Sequence, residues 1–200
     1  MHYCQRCEEP HALVRLERSL RCPSCGLETE ARPSLPIFFV TGASGAGKTT
    51  LMPWLVDELT GECIVLDGDW FIDPMAPKDG SPIDWDAVRD VMLHVAAGVT
   101  LNGLPTLILG SVMPNQLADL KGSRWIGEPH FLLLDCSDEH RIERIESRPR
   151  WRSHDVGEQL AFAHWLRENM EPVISTSANS PAAAASAIAD WVRGHLSKSV

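Results

Sequence analysis

The run GASGAGKT places Gly42, Ala43, Ser44, Gly45, Ala46, Gly47, Lys48 and Thr49 in the pattern GxxxxGK[ST], with Thr50 directly behind it. Small residues let successive backbone amides curl around phosphate oxygens, and the start of a following helix adds partial positive charge. Lys48 then supplies a point charge for the β and γ phosphates, and Thr49 a hydroxyl for Mg²⁺. The apolar FFV before the run and the helix-compatible TTLMPWLVDEL after it provide the strand and helix that this motif requires. The chemistry is the holding of a nucleoside triphosphate, with residues 42–50 as the nucleotide-binding positions.

The next chemically loaded stretch is LDGDWF, where a short apolar strand over residues 63–66 ends in Asp67, Gly68 and Asp69. Strand ends of this kind face the ligand crevice of an open α/β sheet. Asp67 is the magnesium-side candidate together with Thr49, and Asp69 the general base or hydroxyl-orienting group. Trp70 and Phe71 follow, where either ring suits the wall of a substrate pocket or core packing equally well.

Farther along, Arg141, Arg144, Arg148, Arg150 and Arg152 fall within twelve residues that contain two glutamates. In a phosphate-loop domain this cluster suits a lid that closes over a transferred phosphoryl, neutralises its charge and excludes water. Arg144 and Arg148 share a helix face at i and i+4 and are the catalytic candidates of the set. Asp135 ends another apolar strand, and its favoured role is to open the next helix rather than to hold magnesium.

Four of the six cysteines form two CxxC pairs, Cys4 with Cys7 and Cys22 with Cys25, fourteen residues apart. In a reducing compartment this spacing reads as a tetrahedral zinc site of structural type, and each pair resembles the knuckle of a zinc ribbon. The intervening residues are short enough for a hairpin or one helical turn. Residues 1–32 carry five Arg against five Glu, so the ribbon presents no basic footprint.

These groups need a scaffold, and the rest of the chain supplies one. Apolar strand-like runs alternate with helical stripes from residue 36 onward, the pattern of a parallel, doubly wound sheet. One stripe, Trp85, Val88, Met92, Val95 and Val99, reads as core behind an Asp84 cap, and a last helix starts with Ser180 as cap and Pro181 at its first position. Pro53 falls in the first turn of the helix after the phosphate loop or else kinks it. The division is a zinc ribbon over 1–34 and a larger domain over 35–200, with ARPSLP as the linker. A net charge of −9 argues against nucleic acid and anionic membranes as partners, and the apolar runs are too short to span a bilayer. With no secretory pattern at residue 1, the expected location is the cytoplasm.

VTGASGAGKTT and LDGDWF are similar to the phosphate loop and acidic second-strand terminus of adenylylsulfate kinases, and RIERIESRPRWR resembles the lid arginines of the wider P-loop small-molecule kinases: gluconate and shikimate kinases, chloramphenicol phosphotransferase and nucleoside or nucleotide kinases. The resemblance covers residues 36–196. It implies an α/β three-layer sandwich with a five-stranded parallel sheet, ATP and magnesium as cofactors, and an Asp after the second strand that contacts the acceptor hydroxyl. It also implies that Arg144 and Arg148 grip ATP and the transferred phosphoryl, and that residues 176–179 lie near the adenine. The zinc ribbon is a departure from that family.

The function expected is therefore ATP- and Mg²⁺-dependent phosphoryl transfer to a small-molecule hydroxyl or phosphate, with a nucleoside or nucleotide as the acceptor. The rival is a nucleotide-dependent switch or ATPase whose ribbon docks a protein or nucleic acid. The lack of an NKxD-type guanine-reading sequence counts against a GTPase switch.

Overall fold

The computed structural model describes residues 2–11, 13–16, 19–30, 35–149 and 155–197. The expected linker boundary at Ser34, and Arg150 and Arg152, lie outside the described residues.

Five short strands come first: β1 (His2–Cys4), β2 (Glu9–His11), β3 (Val14–Arg15), β4 (Ser19–Arg21) and β5 (Glu28–Glu30). β1 and β2 pair antiparallel, and β3, β4 and β5 form an antiparallel meander, so the segment between the cysteine pairs is a hairpin rather than a helical turn. Among its described residues the buried apolar ones are Cys4, Leu13 and Cys22, with Leu20 and Leu27 packed against them. A core of this size leaves most of the folding free energy to be found elsewhere.

The larger unit runs β6 (Ile37–Thr41), α1 (Lys48–Glu58), β7 (Ile64–Asp67), α2 (Ile72–Met75), α3 (Trp85–Thr100), β8 (Thr106–Gly110), β9 (Pro129–Asp135), α4 (Asp138–Glu146), α5 (Val156–Asn169), β10 (Val173–Ser175) and α6 (Pro181–Leu196). The five strands form one parallel sheet in the order β10-β9-β6-β8-β7. β6 is central. The chain leaves it toward β7 on one side and later reaches β9 on the other, which opens a crevice above its carboxyl end.

Side-chain alternation along β6 explains the three layers. Phe38 and Val40 pack with Leu51 and Leu55 of α1 and Ile188 and Val192 of α6 on one face. Ile37 and Phe39 pack with Val88, Met92, Leu93 and Ala96 of α3 on the other, where Ala163 and Leu166 of α5 join through Leu133 and Phe131. A strand buried on both faces reads as an unbroken apolar run, as IFFV does.

Four helices begin with side-chain caps: Asp84 accepts from Ala87 N at 3.0 Å, Ser137 from His140 N at 3.4 Å, Asp155 from Glu158 N at 2.8 Å and Ser180 from Ala183 N at 3.2 Å. Pro53 is the sixth residue of α1, past the first turn, at a position where a helix uses the N–H that proline lacks.

The stripe expected on α3 is rotated. Val88 and Met92 are buried as expected, but Leu93 and Ala96 complete the buried face, while Trp85 and Val95 are exposed. The sheet meets α3 on the 88/92/93/96 side, and Trp85, the first residue of the helix, lies off that face.

Candidate functional site

Residues 42–49 turn out of β6 into α1. Gly45 and Gly47 have φ of +84° and +101°, values that glycine adopts without strain. Gly42 is required for space: a Cβ there would collide with the carbonyl oxygen of Leu134. α1 begins on Gly47 and, unlike the four capped helices, receives no side-chain cap. Its first-turn amides are thus left for an anion.

Lys48 lies over this loop. Its Nζ donates to the carbonyl oxygen of Gly42 and, at 3.4 Å, to that of Ala43. Loss of solvent holds its pKa down to about 8; Asp69 opposes that shift, and Arg141 and Arg148 add to it. A desolvated ammonium whose hydrogen-bond partners are neutral carbonyls gains from a further anion. The loop, the open helix start and this cation together fit a polyphosphate.

At the end of β7, Asp67 Oδ1 accepts the N–H of Asp69 at 3.0 Å and so caps a 3₁₀ turn over Gly68–Phe71. Gly68 is pressed against β8, where a Cβ would stand 2.9 Å from the carbonyl oxygen of Leu109. Asp67 therefore shapes the turn that carries Asp69. Both carboxylates line the same cavity as Lys48 and Thr49, a crevice of about 940 Å³ above the strand ends. Ser44 to Thr50 form its floor, and Trp70, Asp73, Trp85, Arg89 and Phe162 are among the groups of its wall. Ser111 also lines it and donates to the carbonyl oxygen of Gly42 at 3.1 Å.

The arginines separate into different jobs. Arg148 lines the cavity. Arg144 lies against the loop: its Nη1 donates to Gly45 O at 3.0 Å and to Thr176 Oγ1 at 2.9 Å, and Thr176 Oγ1 donates to Ala46 O at 2.9 Å. Thr176 thus braces the loop. Arg141 is fully buried; it pairs with Asp135 and donates to Ser44 O at 2.6 Å.

Asp135 does not open the next helix, because Ser137 holds the cap of α4. Its carboxylate is buried between Arg141 and Arg167, the latter at 2.5 Å, and Arg167 also reaches Asp138 at 2.8 Å and Cys136 O at 2.8 Å. The carboxylate neutralises two guanidiniums beside the loop, which a helix cap would not do.

In the N-terminal unit, Cys4 Sγ lies 3.6 Å from Cys25 Sγ and Cys7 Sγ 3.8 Å from Cys22 Sγ, and the four sulfurs are all within 4.8 Å of one another. Sulfurs about 2.3 Å from a common zinc sit about 3.8 Å apart at tetrahedral angles, and all four are free thiols. The N–H of Cys7 chiefly draws the Cys4 thiol down to about 6, while the Cys25 thiol pushes Cys7 up. The group could hold a tetrahedral metal ion.

No protein-family model and no curated protein sequence matches the chain. Solved structures do. A sugar kinase from Janibacter sp. HTCC2649 is 24% identical, with a TM-score of 0.55 over 82% of this chain and 98% of its own. The tunicamycin resistance protein of Deinococcus radiodurans is 18% identical, with a TM-score of 0.58 over 82% and 95%. A gluconokinase from Sinorhizobium meliloti 1021 is 18% identical, with a TM-score of 0.50 over 84% and 96%. The larger unit shares the P-loop α/β fold of these structures. In that P-loop fold the crevice described above lies at the carboxyl ends of the strands.

The geometry brings Lys48, Thr49, Asp67, Asp69 and Arg148 to one cavity and sets Arg144 behind the loop. Sequence reasoning missed Gln159, which accepts the N–H of Ser44 at 2.8 Å, and the placement of Trp85 and Phe162 in the wall. Nothing near Gln159 in the chain marks it, since its partner is 115 residues away.

Among the described residues, no helix is long and apolar enough to cross a membrane.

Proposed function

We propose that this protein transfers the γ-phosphoryl of ATP to a hydroxyl of a small molecule. The observation that carries the reading is the presence of a desolvated Lys48, the uncapped start of α1 and Asp69 on one cavity. The names of the structural neighbours, sugar kinase and gluconokinase among them, agree with it.

In this reading the backbone of residues 42–48 binds the phosphates, and Lys48 and Arg148 offset their charge. Thr49 and Asp67 are the residues that would hold Mg²⁺. When bound, ATP supplies the phosphoryl group and Mg²⁺ neutralises charge on it. Asp69 accepts the proton of the acceptor hydroxyl and orients its oxygen for in-line attack. Arg141 and Arg144 keep the loop in shape by holding the carbonyls of Ser44 and Gly45.

For the acceptor we favour a nucleoside-like alcohol, because Trp70, Trp85 and Phe162 offer flat rings for stacking beside Asp69. Zinc is the metal proposed for Cys4, Cys7, Cys22 and Cys25, in a structural role, and the cytoplasm is the proposed location.

The test is ADP formation by the purified chain with Mg²⁺-ATP, screened against nucleosides, nucleotides, sugar acids and sugars. Stimulation by one acceptor, lost in Lys48→Ala, supports the kinase. ATP hydrolysis that no acceptor stimulates, but that a protein or oligonucleotide does, would favour the switch or ATPase.

A further inference from the structure

Both backbone polar groups of Ser44 are held, one by α4 and one by α5. Arg141 Nη1 donates to its carbonyl oxygen at 2.6 Å, and its N–H is taken by Gln159 Oε1 at 2.8 Å. The first contact comes from a fully buried side chain and the second from a partly exposed one at the cavity. Ser44 and Gln159 both line the cavity, so a neutral side-chain oxygen occupies a backbone donor of the loop there.

Resting on the phosphoryl-transfer reading, we propose that Gln159 is a positioning residue. It stands in for a phosphoryl oxygen at Ser44 and is displaced when nucleotide arrives. A phosphate oxygen carries charge and is drawn at the same time by Lys48, so it outcompetes a carboxamide for the same N–H. Release of Gln159 frees the first turns of α5. The far end of that helix stays fixed, because Arg167 is tied to Asp135, Asp138 and the carbonyl of Cys136. Phe162 lies on the same side of α5, three residues on, and also lines the cavity. Displacing Gln159 therefore moves Phe162 and couples nucleotide arrival to the acceptor wall. By linkage, the acceptor and the nucleotide then change each other's affinity by the same factor.

The test compares Gln159→Ala and Gln159→Glu with the wild-type chain, using calorimetric titration with Mg²⁺ and a non-hydrolysable ATP analogue, and amide exchange over residues 156–169. Removing the stand-in should tighten analogue binding by about two- to tenfold, the range of one neutral hydrogen bond. The carboxylate of Gln159→Glu should weaken it by at least about tenfold through repulsion. The analogue should raise exchange in the first turns of α5 in the wild type, whereas Gln159→Ala should exchange at the raised level without it. Weaker binding in both variants would make Gln159 an ordinary ligand contact and overturn the stand-in, leaving the kinase reading intact. A wild-type chain that binds no analogue would overturn both.

Discussion

Arg144 Nη1 stands 3.0 Å from the carbonyl oxygen of Gly45 and 2.9 Å from Thr176 Oγ1, so this arginine braces the phosphate loop from outside the cavity. Arg148 lies two residues past the end of α4, not on a shared helix face with Arg144 as expected, and lines the cavity itself. Replacing Arg144 by Ala should therefore cost stability, about 1.5–3 kcal/mol for hydrogen bonds from a charged donor, and weaken nucleotide binding with it. Replacing Arg148 should lower kcat and cost less melting temperature than replacing Arg144, whose contacts hold the loop. Thermal melts beside steady-state kinetics separate the two, and equal melting losses in both variants would contradict the division.

Asp69→Asn keeps the shape of the 3₁₀ turn, whose cap is Asp67, and removes the base. The expected loss is about 10²–10⁴ in kcat, with the nucleotide Kd within about twofold of wild type. Normal turnover by the asparagine variant would remove Asp69 from the mechanism.

Desolvation holds Lys48 at about 8, below its ordinary value, so the free protein is losing this proton near pH 8. A bound polyphosphate adds anionic charge and raises that pKa, and binding should take up a proton between about pH 8 and 10. Titrations at pH 8.5 in buffers of different ionisation enthalpy should show net proton uptake, absent in Lys48→Met. The same shift acts on stability. The unfolded chain holds the proton more tightly, so the burial penalty is complete below pH 8 and is relieved as pH rises toward the ordinary lysine range.

The two cysteine knuckles correspond position by position. Glu8 N donates to Cys4 O at 2.8 Å and Gly26 N to Cys22 O at 2.9 Å, with φ of 55° and 70°. One knuckle thus carries a glycine where the other carries a strained glutamate. Gly26→Ala should cost about 1 kcal/mol, whereas Glu8→Gly should be neutral within about 0.5 kcal/mol, relief of strain offsetting the added freedom of the unfolded chain. Zinc retention against a chelator is the measurement, and Cys4→Ser should abolish it.

His130 stacks on Phe38 with centroids 5.4 Å apart and lies 4.3 Å from the His195 ring. Burial, then the neighbouring His195, lowers its pKa, against a smaller opposing pull from Glu128. A depressed folded-state value means that the unfolded chain binds the proton first. Stability is complete above about pH 6.5 and falls as pH drops through that value toward the folded pKa. His130→Phe should flatten this dependence in denaturant titrations between pH 7 and 5.

The chain itself determined the phosphate loop, the order of strands and helices, the caps at Asp84 and Ser180, and the four-cysteine group, because each is written in neighbouring residues whose backbone or ligand geometry is local. It did not show that Asp135 would neutralise Arg141 and Arg167, that Arg144 and Thr176 would brace the loop, that Trp85 would leave the core, or that Gln159 would reach Ser44. Those outcomes depend on which face of a helix meets the sheet and on which groups the fold brings together from distant parts of the chain. Only burial in the assembled structure decides whether such a charge or ring faces solvent, a partner or the cavity.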